Sequence, residues 1–156
     1  MASPGLRLGS GEFAQGAIRY IDTYPGDFYS RIVVPVRFGG TVLTWAIVDT
    51  GAPWCILSPE EGRALDSIYR TRHAEIIGLT IRGAVCKGWL YRMPIAIETD
   101  PELGGEGITE EATVFIPELE PNQEWLIPNF LGLGGFLERI RFAVDPESSL
   151  FYFGAL

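Results

Sequence analysis

Two β-forming runs, SRIVVPVRF (30–38) and TVLTWAIV (41–48), follow each other closely in the first third of the chain. The pair Gly39-Gly40 between them is typical of a tight turn that joins antiparallel strands. Apolar residues along the chain recur mainly with a period of two, which indicates strands rather than helices. The stretch therefore predicts a β-hairpin, and it limits the fold to those in which such a hairpin pairs with further strands.

Further strand-like runs occur along the rest of the chain. They are AEIIGLTIRGAVCKGWLYRMPIAIE (74–98), which predicts two long strands, ATVFI (112–116), RIRFAV (139–144) and LFYF (150–153). Helical signals are few. Ser58, Pro59 and Glu61 form the pattern of a capping box at the start of a helix over 58–68, and GGFLER (134–139) predicts one more short helix. The sequence therefore predicts an all-β, barrel-like domain with one or two short helices.

The length of 156 residues corresponds to a single domain with a core of its own. The first residues, MASPGLRLGSGEF (1–13), predict an appended leader or a disordered arm, which leaves the domain at 14–156. No stretch approaches 18 uninterrupted apolar residues, so membrane insertion is not expected. The basic-then-apolar pattern of a secretory signal is also lacking, which favours a cytoplasmic location.

Charge and cysteine content exclude several functional classes. The net charge of −8 argues against a nucleic-acid groove. Cys55 and Cys86 show no metal-binding spacing, and the single histidine is His73. We therefore expect no metal and no cofactor, and we expect Cys55 to be a small buried residue rather than a nucleophile. Eleven arginines against one lysine favour a GC-rich, bacterial genome.

Asp49, Thr50 and Gly51 directly follow the second strand of the predicted hairpin. A carboxylate at the end of a buried strand is costly unless hydrogen bonds hold it. Gly51 has no Cβ, so the backbone can curl and present N–H groups to that carboxylate, and Thr50 adds a hydroxyl. Such an arrangement would fix the carboxylate against a water molecule. The structural alternative is an aspartate that merely forms an Asx turn.

The extended pattern AIVDTGAPWCIL, with NFLG (129–132) about eighty residues later and a short helix before a strand, resembles the retropepsin-type aspartic proteases. These are single-domain relatives of pepsin that act as homodimers, and the resemblance covers residues 28–154. It implies a closed or partly open β-barrel that cleaves peptide or protein substrates without a cofactor. In the family, two such aspartates hold the attacking water, one as general base and the other as proton donor.

The resemblance also assigns roles to individual residues. Asp49 would be catalytic, with Thr50 and Gly51 as its support. Phe130 and Gly132 would pack beneath the loop that carries Asp49. The substrate-binding residues would be Ala52, Leu131 and the tip of the flap, a hairpin that closes over the peptide, which we place at Ile81, Arg82, Gly83, Ala84 and Val85.

One aspartate of this kind is half of the required pair. The other aspartates are Asp22, Asp27, Asp66, Asp100 and Asp145. None of them lies in a second Asp-Thr-Gly sequence, so the partner carboxylate should be Asp49 of another copy. We therefore expect a homodimer, with the apolar strands RIRFAV and SLFYF pairing between the subunits.

The chain departs from the family at Leu133, Gly134 and Gly135, where many relatives carry a charged or amide residue. The start of the following helix must therefore be held in another way. One alternative function is a dimeric peptide-binding or scaffolding module with little or no hydrolysis, although such a module has no need of an intact Asp-Thr-Gly. A second alternative, a β-barrel carrier of small ligands, fits the composition and leaves the motif unexplained.

Overall fold

The computed structural model describes residues 7–8, 11–69 and 75–156. The predicted leader, 1–13, lies partly outside these ranges, and its assignment stays a prediction. Arg70, Arg72 and His73 also lie outside the described residues.

Within the described residues the chain forms thirteen strands, one α-helix and one 3₁₀ helix. The strands are β1 (Arg7–Leu8), β2 (Gly11–Glu12), β3 (Gly16–Arg19), β4 (Ile21–Thr23), β5 (Ser30–Phe38), β6 (Val42–Asp49), β7 (Cys55–Ile56), β8 (Glu75–Ile81), β9 (Ala84–Ile97), β10 (Ile108–Pro117), β11 (Phe130–Gly132), β12 (Ile140–Asp145) and β13 (Leu150–Ala155). Helix α1 spans Pro59–Tyr69, and the 3₁₀ helix spans Leu137–Arg139. The predicted mainly β architecture with one short helix is confirmed, while the second predicted helix is a single 3₁₀ turn.

Six strands close into a barrel. β5 pairs with β6, β6 with β11, β11 with β7, β7 with β10 and β10 with β9. The far end of β5 then pairs with β9 through Arg37 opposite Ala96 and Phe38 opposite Ile95, which completes the ring. β4 and β8 extend the same sheet at its two ends. Closure satisfies the backbone groups that an open sheet would leave unpaired at its edges.

The barrel core follows from the alternation of side chains along the strands. Val34, Val36 and Phe38 of β5 are almost fully buried, and Met93 and Ile95 of β9 belong to the same buried cluster. Burial of each large apolar side chain contributes about 1.5–3 kcal/mol. The period of two in the sequence therefore reflects one face of each strand turned toward this core.

Helix α1 closes one side of the barrel by packing on the turn between β5 and β6. Gly39 has a φ of +59°, and a Cβ there would lie 2.8 Å from a methyl carbon of Leu65. The Tyr69 hydroxyl donates to the Gly39 carbonyl at 3.3 Å. Glycine is thus required at position 39 for two reasons: the turn needs a positive φ, and the helix lies too close to leave room for a Cβ. Among the described residues, no helix has both the length and the apolar content needed to cross a membrane.

A separate three-stranded sheet has the order β12-β13-β3. β13 lies in the middle, with Phe153 opposite Phe142 on one side and opposite Gly16 on the other. The expectation that SLFYF pairs with a second subunit is therefore wrong, since both edges of β13 are filled by its own chain. The sequence did not reveal this because β3 is only four residues long and includes a glycine and an alanine, which are poor strand formers.

Candidate active site

Asp49 is the last residue of β6 and lies half-buried at the point where β6 and β11 run side by side. The parallel register places Gly132 opposite Asp49. The Gly51 N–H donates to Asp49 Oδ1 at 2.8 Å, and the Ala52 N–H donates to the Asp49 carbonyl at 3.2 Å. The Gly51 N–H therefore fixes one carboxylate oxygen of Asp49, and the Ala52 N–H closes the turn of the backbone around this residue. The side chain of Thr50 is exposed.

Residues 132–135, here called the glycine loop, pack directly against residues 49–54, the active-site loop. A Cβ on Gly132 would lie 2.2 Å from the Trp54 carbonyl oxygen, and one on Gly134 would lie 2.7 Å from that of Pro53. The Leu133 N–H also donates to the Ala52 carbonyl at 2.8 Å. Contact between backbones is thus the support that the glycine loop gives to the active-site loop.

Asn129, which precedes β11, is a buried polar residue beneath the site, with 1% of its surface exposed. Its Oδ1 accepts from the Ser58 N–H at 2.8 Å. Its Nδ2 group lies 2.7 Å from Glu61 Oε2, 3.2 Å from the Trp45 carbonyl and 3.3 Å from Thr44 Oγ1. One side chain therefore ties the strand that ends in Asp49 to the start of helix α1.

The predicted capping box is present in modified form. Ser58 Oγ accepts from the Glu61 N–H at 3.2 Å, and its hydroxyl donates to Glu61 Oε2 at 2.8 Å. In a complete box, Glu61 would bind the Ser58 N–H, but here Asn129 does so.

The backbone of Asn129 also contacts Tyr24: the Asn129 N–H donates to the Tyr24 hydroxyl at 3.4 Å. Burial raises the pKa of Tyr24, this hydrogen bond lowers it, and the charge of Glu61 raises it.

A cavity of about 390 Å³ opens in front of Asp49. It is lined by Arg31, Ile47, Val48, Asp49, Gly51, Ala52, Pro53, Ile56, Leu79, Thr80, Ile81, Arg82 and Phe130. Asp49 carries the one carboxylate among these lining residues. The cavity lining therefore combines apolar residues, two arginines and a single acid.

The residues of β11 lie differently from their predicted positions. Leu131, predicted to line the substrate cleft, is fully buried in the barrel core, whereas Phe130, predicted to pack beneath the loop, lines the cavity. Neighbouring side chains of a strand point to opposite faces, so only one of the two can face the cavity. Leu131 is therefore a core residue and Phe130 a wall residue. Gly132 lies beneath the active-site loop.

The hairpin formed by β8 and β9 brings its tip to the same cavity. Arg82 and Gly83 form the two-residue turn, with φ values of +49° and +82°. Ile81 is buried against Ile56 and Phe115, and both Ile81 and Arg82 line the cavity. Of the remaining predicted flap residues, Gly83 and Ala84 are exposed and outside the cavity lining, and Val85 lines a separate groove beside 117–127.

The described part of the chain contains one fully buried thiol and scattered residues of the metal-binding types. Its His, Cys, Asp and Glu side chains form no group of three that could hold a metal ion. Cys55 is fully buried, as predicted, and this burial raises its pKa to about 12. The thiol is therefore protonated near neutral pH and cannot act as a nucleophile there.

Sequence reasoning missed Asn129 and Arg31, as well as lining residues such as Ile47, Ile56 and Leu79. Asn129 carries a detectable signal, since a lone amide directly before the buried run FLG needs hydrogen-bond partners. Arg31 carries none, because its position at the cavity depends on how β5 pairs within the barrel. The predicted residues Asp49, Gly51 and Ala52 all line the cavity.

Comparison with known proteins gives a match in structure but not in sequence. No protein-family model matches the chain, and no curated protein does. The fold is similar to the crystal structure of a retropepsin-like aspartic protease from Rickettsia conorii, with a TM-score of 0.54 and 21% identity, covering 90% of this chain and 94% of that one. The retroviral protease-like domain of Ddi1 from Leishmania major gives a TM-score of 0.47 and 18% identity over 81% and 94%. The chain therefore has a fold like that of the retropepsin-like aspartic proteases.

Proposed function

We propose that the protein is an aspartic endopeptidase that acts as a homodimer and hydrolyses extended peptides. The observation that carries the proposal is the placement of Asp49: its Oδ1 is held by the Gly51 N–H at 2.8 Å, and the carboxylate faces a cavity that has no other acid in its lining. A single carboxylate cannot be general base and proton donor in the same step. A second copy of Asp49 supplies the missing group.

In the proposed dimer, the two Asp49 carboxylates face each other and hold the attacking water between them. Two carboxylates at such a distance cannot both be ionised cheaply, so they share one proton. The ionised member takes a proton from the water, and the protonated member donates to the oxygen of the scissile carbonyl. Asp49 Oδ2 has no hydrogen-bond partner among the described residues, which leaves it available for the water. The exposed Thr50 hydroxyl is the group that would bond across to the partner subunit.

The lining of the cavity indicates the class of substrate. Its apolar walls come from Ile47, Val48, Ile56, Leu79, Ile81 and Phe130. Such walls favour bulky apolar residues at the scissile bond. The β8–β9 hairpin lies over the cavity as a flap, a position that suits an extended peptide held between the flap and the active-site loop.

The decisive variant is Asp49→Asn, which keeps the shape of the side chain and removes the base. Hydrolysis of an unstructured protein, read by mass spectrometry, should fall at least about 100-fold. Asp22→Asn is the matched control, because it makes the same change on the exposed strand β4 and should leave the rate unaltered.

Two results would contradict the assignment. Wild-type turnover by verified Asp49→Asn protein would return Asp49 to a purely structural role. Peptide binding by the wild-type protein without detectable cleavage would favour the alternative of a binding or scaffolding module.

A further inference from the structure

Two arginines line the cavity that holds Asp49. Arg31 comes from β5, and Arg82 comes from the turn between β8 and β9. Within the described residues, no side-chain nitrogen of Arg31 or Arg82 lies within 4.0 Å of a carboxylate oxygen of Asp49. Asp49 therefore has no ion pair within this part of the chain. Arg82 has no ion-pair partner there either, and Arg31 has one, a contact of 4.0 Å between its Nε and Asp27 Oδ2.

Arg31 is held in place by its neighbours. Its guanidinium carbon lies 5.5 Å from the centre of the Tyr29 ring, and its Nε lies 4.0 Å from Asp27 Oδ2. Asp27 is itself fixed, since its Oδ1 accepts from the Phe28 N–H at 2.7 Å. The terminal nitrogens of Arg31 make no hydrogen bond within the described part of the chain. A guanidinium fixed on one side and free on the other is prepared to bind an anion in a forked geometry.

Arg82 occupies a backbone conformation that disfavours it. Its φ of +49° lies in the left-handed region, where asparagine or glycine is adopted at lower cost. The side chain is exposed, and no ion pair to it is formed among the residues that the structure describes. The cost of this backbone conformation would be offset if the Arg82 side chain bound a partner that is absent from the free protein.

The charge of the cavity contrasts with that of the chain. The protein has a net charge of −8, and its longest loops, near 98–107 and 118–129, contain acids and no base. The cavity lining, by contrast, contains two cations and one acid. Because clefts with low-dielectric walls focus the field of their charges, an acidic group is attracted to this cleft and repelled by the acidic loops.

We propose that Arg31 and Arg82 bind a carboxylate of the substrate, so that the enzyme selects peptides with aspartate or glutamate close to the apolar residues at the scissile bond. This inference rests on the proposed function and names its substrate class. Both arginines are specificity residues, since neither touches the atoms that react.

The test compares two fluorogenic peptides that differ at one flanking residue, glutamate in one and glutamine in the other. The wild-type protein should prefer the glutamate peptide about fivefold or more in kcat/KM. Arg31→Gln and Arg82→Asn should each reduce this preference, and the double variant should bring it close to one. Arg82→Asn suits the turn better than arginine does, so loss of folding is not expected.

Arg63→Gln is the matched control, because Arg63 is an exposed arginine of α1 outside the cavity. It changes the net charge by the same amount and should leave the preference intact. Dimer content is measured by sedimentation for each variant, and the ratio is compared at concentrations where the protein is dimeric. Weaker dimerisation of the Arg31→Gln variant is thereby distinguished from a loss of substrate recognition by an intact dimer.

The binding arm keeps this inference apart from the proposed function. Asp49→Asn protein is titrated with labelled forms of both peptides, and anisotropy gives a ratio of affinities that needs no hydrolysis. A preference for glutamate that disappears in the Arg31→Gln, Arg82→Asn background supports the inference even if no cleavage is found. A wild-type ratio near one, or a preference that survives the double variant, overturns it.

Discussion

Gly132 shows how closely the two halves of the site are packed. A Cβ at this position would lie 2.2 Å from the Trp54 carbonyl oxygen and 2.8 Å from that of Ala52. Both atoms belong to the backbone, and the Ala52 carbonyl is itself held, since it accepts from the Leu133 N–H. One methyl group is therefore enough to push the active-site loop away from β11 and to move Asp49 with it.

We expect Gly132→Ala to lower the free energy of unfolding by about 1–3 kcal/mol, the range for forcing extra volume into a packed site. The rate of hydrolysis should fall by more than the loss of folded protein explains, because a displaced Asp49 is no longer aligned with its counterpart in the proposed dimer. Thermal denaturation and initial rates would measure the two effects. Gly78→Ala is the control, since its Cβ would approach only a side-chain methyl carbon of Val85, at 3.1 Å. Equal stability of the two variants would contradict the close packing described here.

At the level of elements, α1 and β6 are joined by a buried amide rather than by apolar contact alone. Asn129 binds the N–H of Ser58 and the carboxylate of Glu61 at one end of the network, and the Trp45 carbonyl at the other. The start of the helix and the strand that ends in Asp49 therefore cannot shift independently.

We expect Asn129→Leu to cost at least about 2 kcal/mol of unfolding free energy, because it leaves the part-buried Ser58 N–H without an acceptor and removes one of the two donors to Glu61 Oε2, the other being the Ser58 hydroxyl. Thr44→Val should cost under about 1 kcal/mol, since Asn129 keeps its contacts to Trp45 and Glu61. Urea denaturation of both variants gives the comparison. Similar losses for the two would mean that the network carries no more than a single ordinary hydrogen bond.

The elements that could be predicted are those whose signal lies within one segment. Alternation along β5, β9 and β12 revealed these strands, and the cap residues before α1 revealed the helix. The shorter strands β7 and β11 could not be found, because two or three residues contain too little alternation and their partners come from distant parts of the chain.

The same reasoning explains the outcome at the site. Asp49 is marked by its own neighbours, Thr50 and Gly51, so the sequence singles it out as a candidate, and the structure places it at the cavity. The side of β11 that faces the cavity is set by its parallel register with β6, which exchanged the predicted positions of Phe130 and Leu131.

For the molecule as a whole, one chain provides one Asp49 carboxylate, and the proposed reaction requires two. The C-terminal strand β13 cannot recruit the partner, because β12 and β3 occupy both of its edges. The outer edges of β12 and β3 have no neighbouring strand within the described residues, but residues 99–105 already bond to the edge of β3. Pairing of the β12 edge with a second copy is compatible with the proposed dimer.

We expect activity per mole to fall on dilution, since a site assembled from two subunits is lost when they separate. Such an interface should bury on the order of 2,000 Å² in total. Addition of inactive Asp49→Asn subunits should also lower the activity of a fixed amount of wild-type protein, because mixed dimers contain one acid instead of the pair. Sedimentation and initial rates measured over the same concentration range give the check. A monomer that still cleaves peptides would rule out the shared site.

The pairing of β3 with β13 also has a consequence for how the protein is made. Residues 16–19 are matched with residues 150–153, so this contact joins segments from opposite ends of the described domain. Contacts between such distant segments must close a long loop, and they form slowly. During synthesis, β3 leaves the ribosome long before β13 exists, and the smaller sheet has no central strand until translation has passed it. The proposed protease therefore cannot complete its fold until the segment that forms β13 has been synthesised, and this requirement delays the onset of its activity.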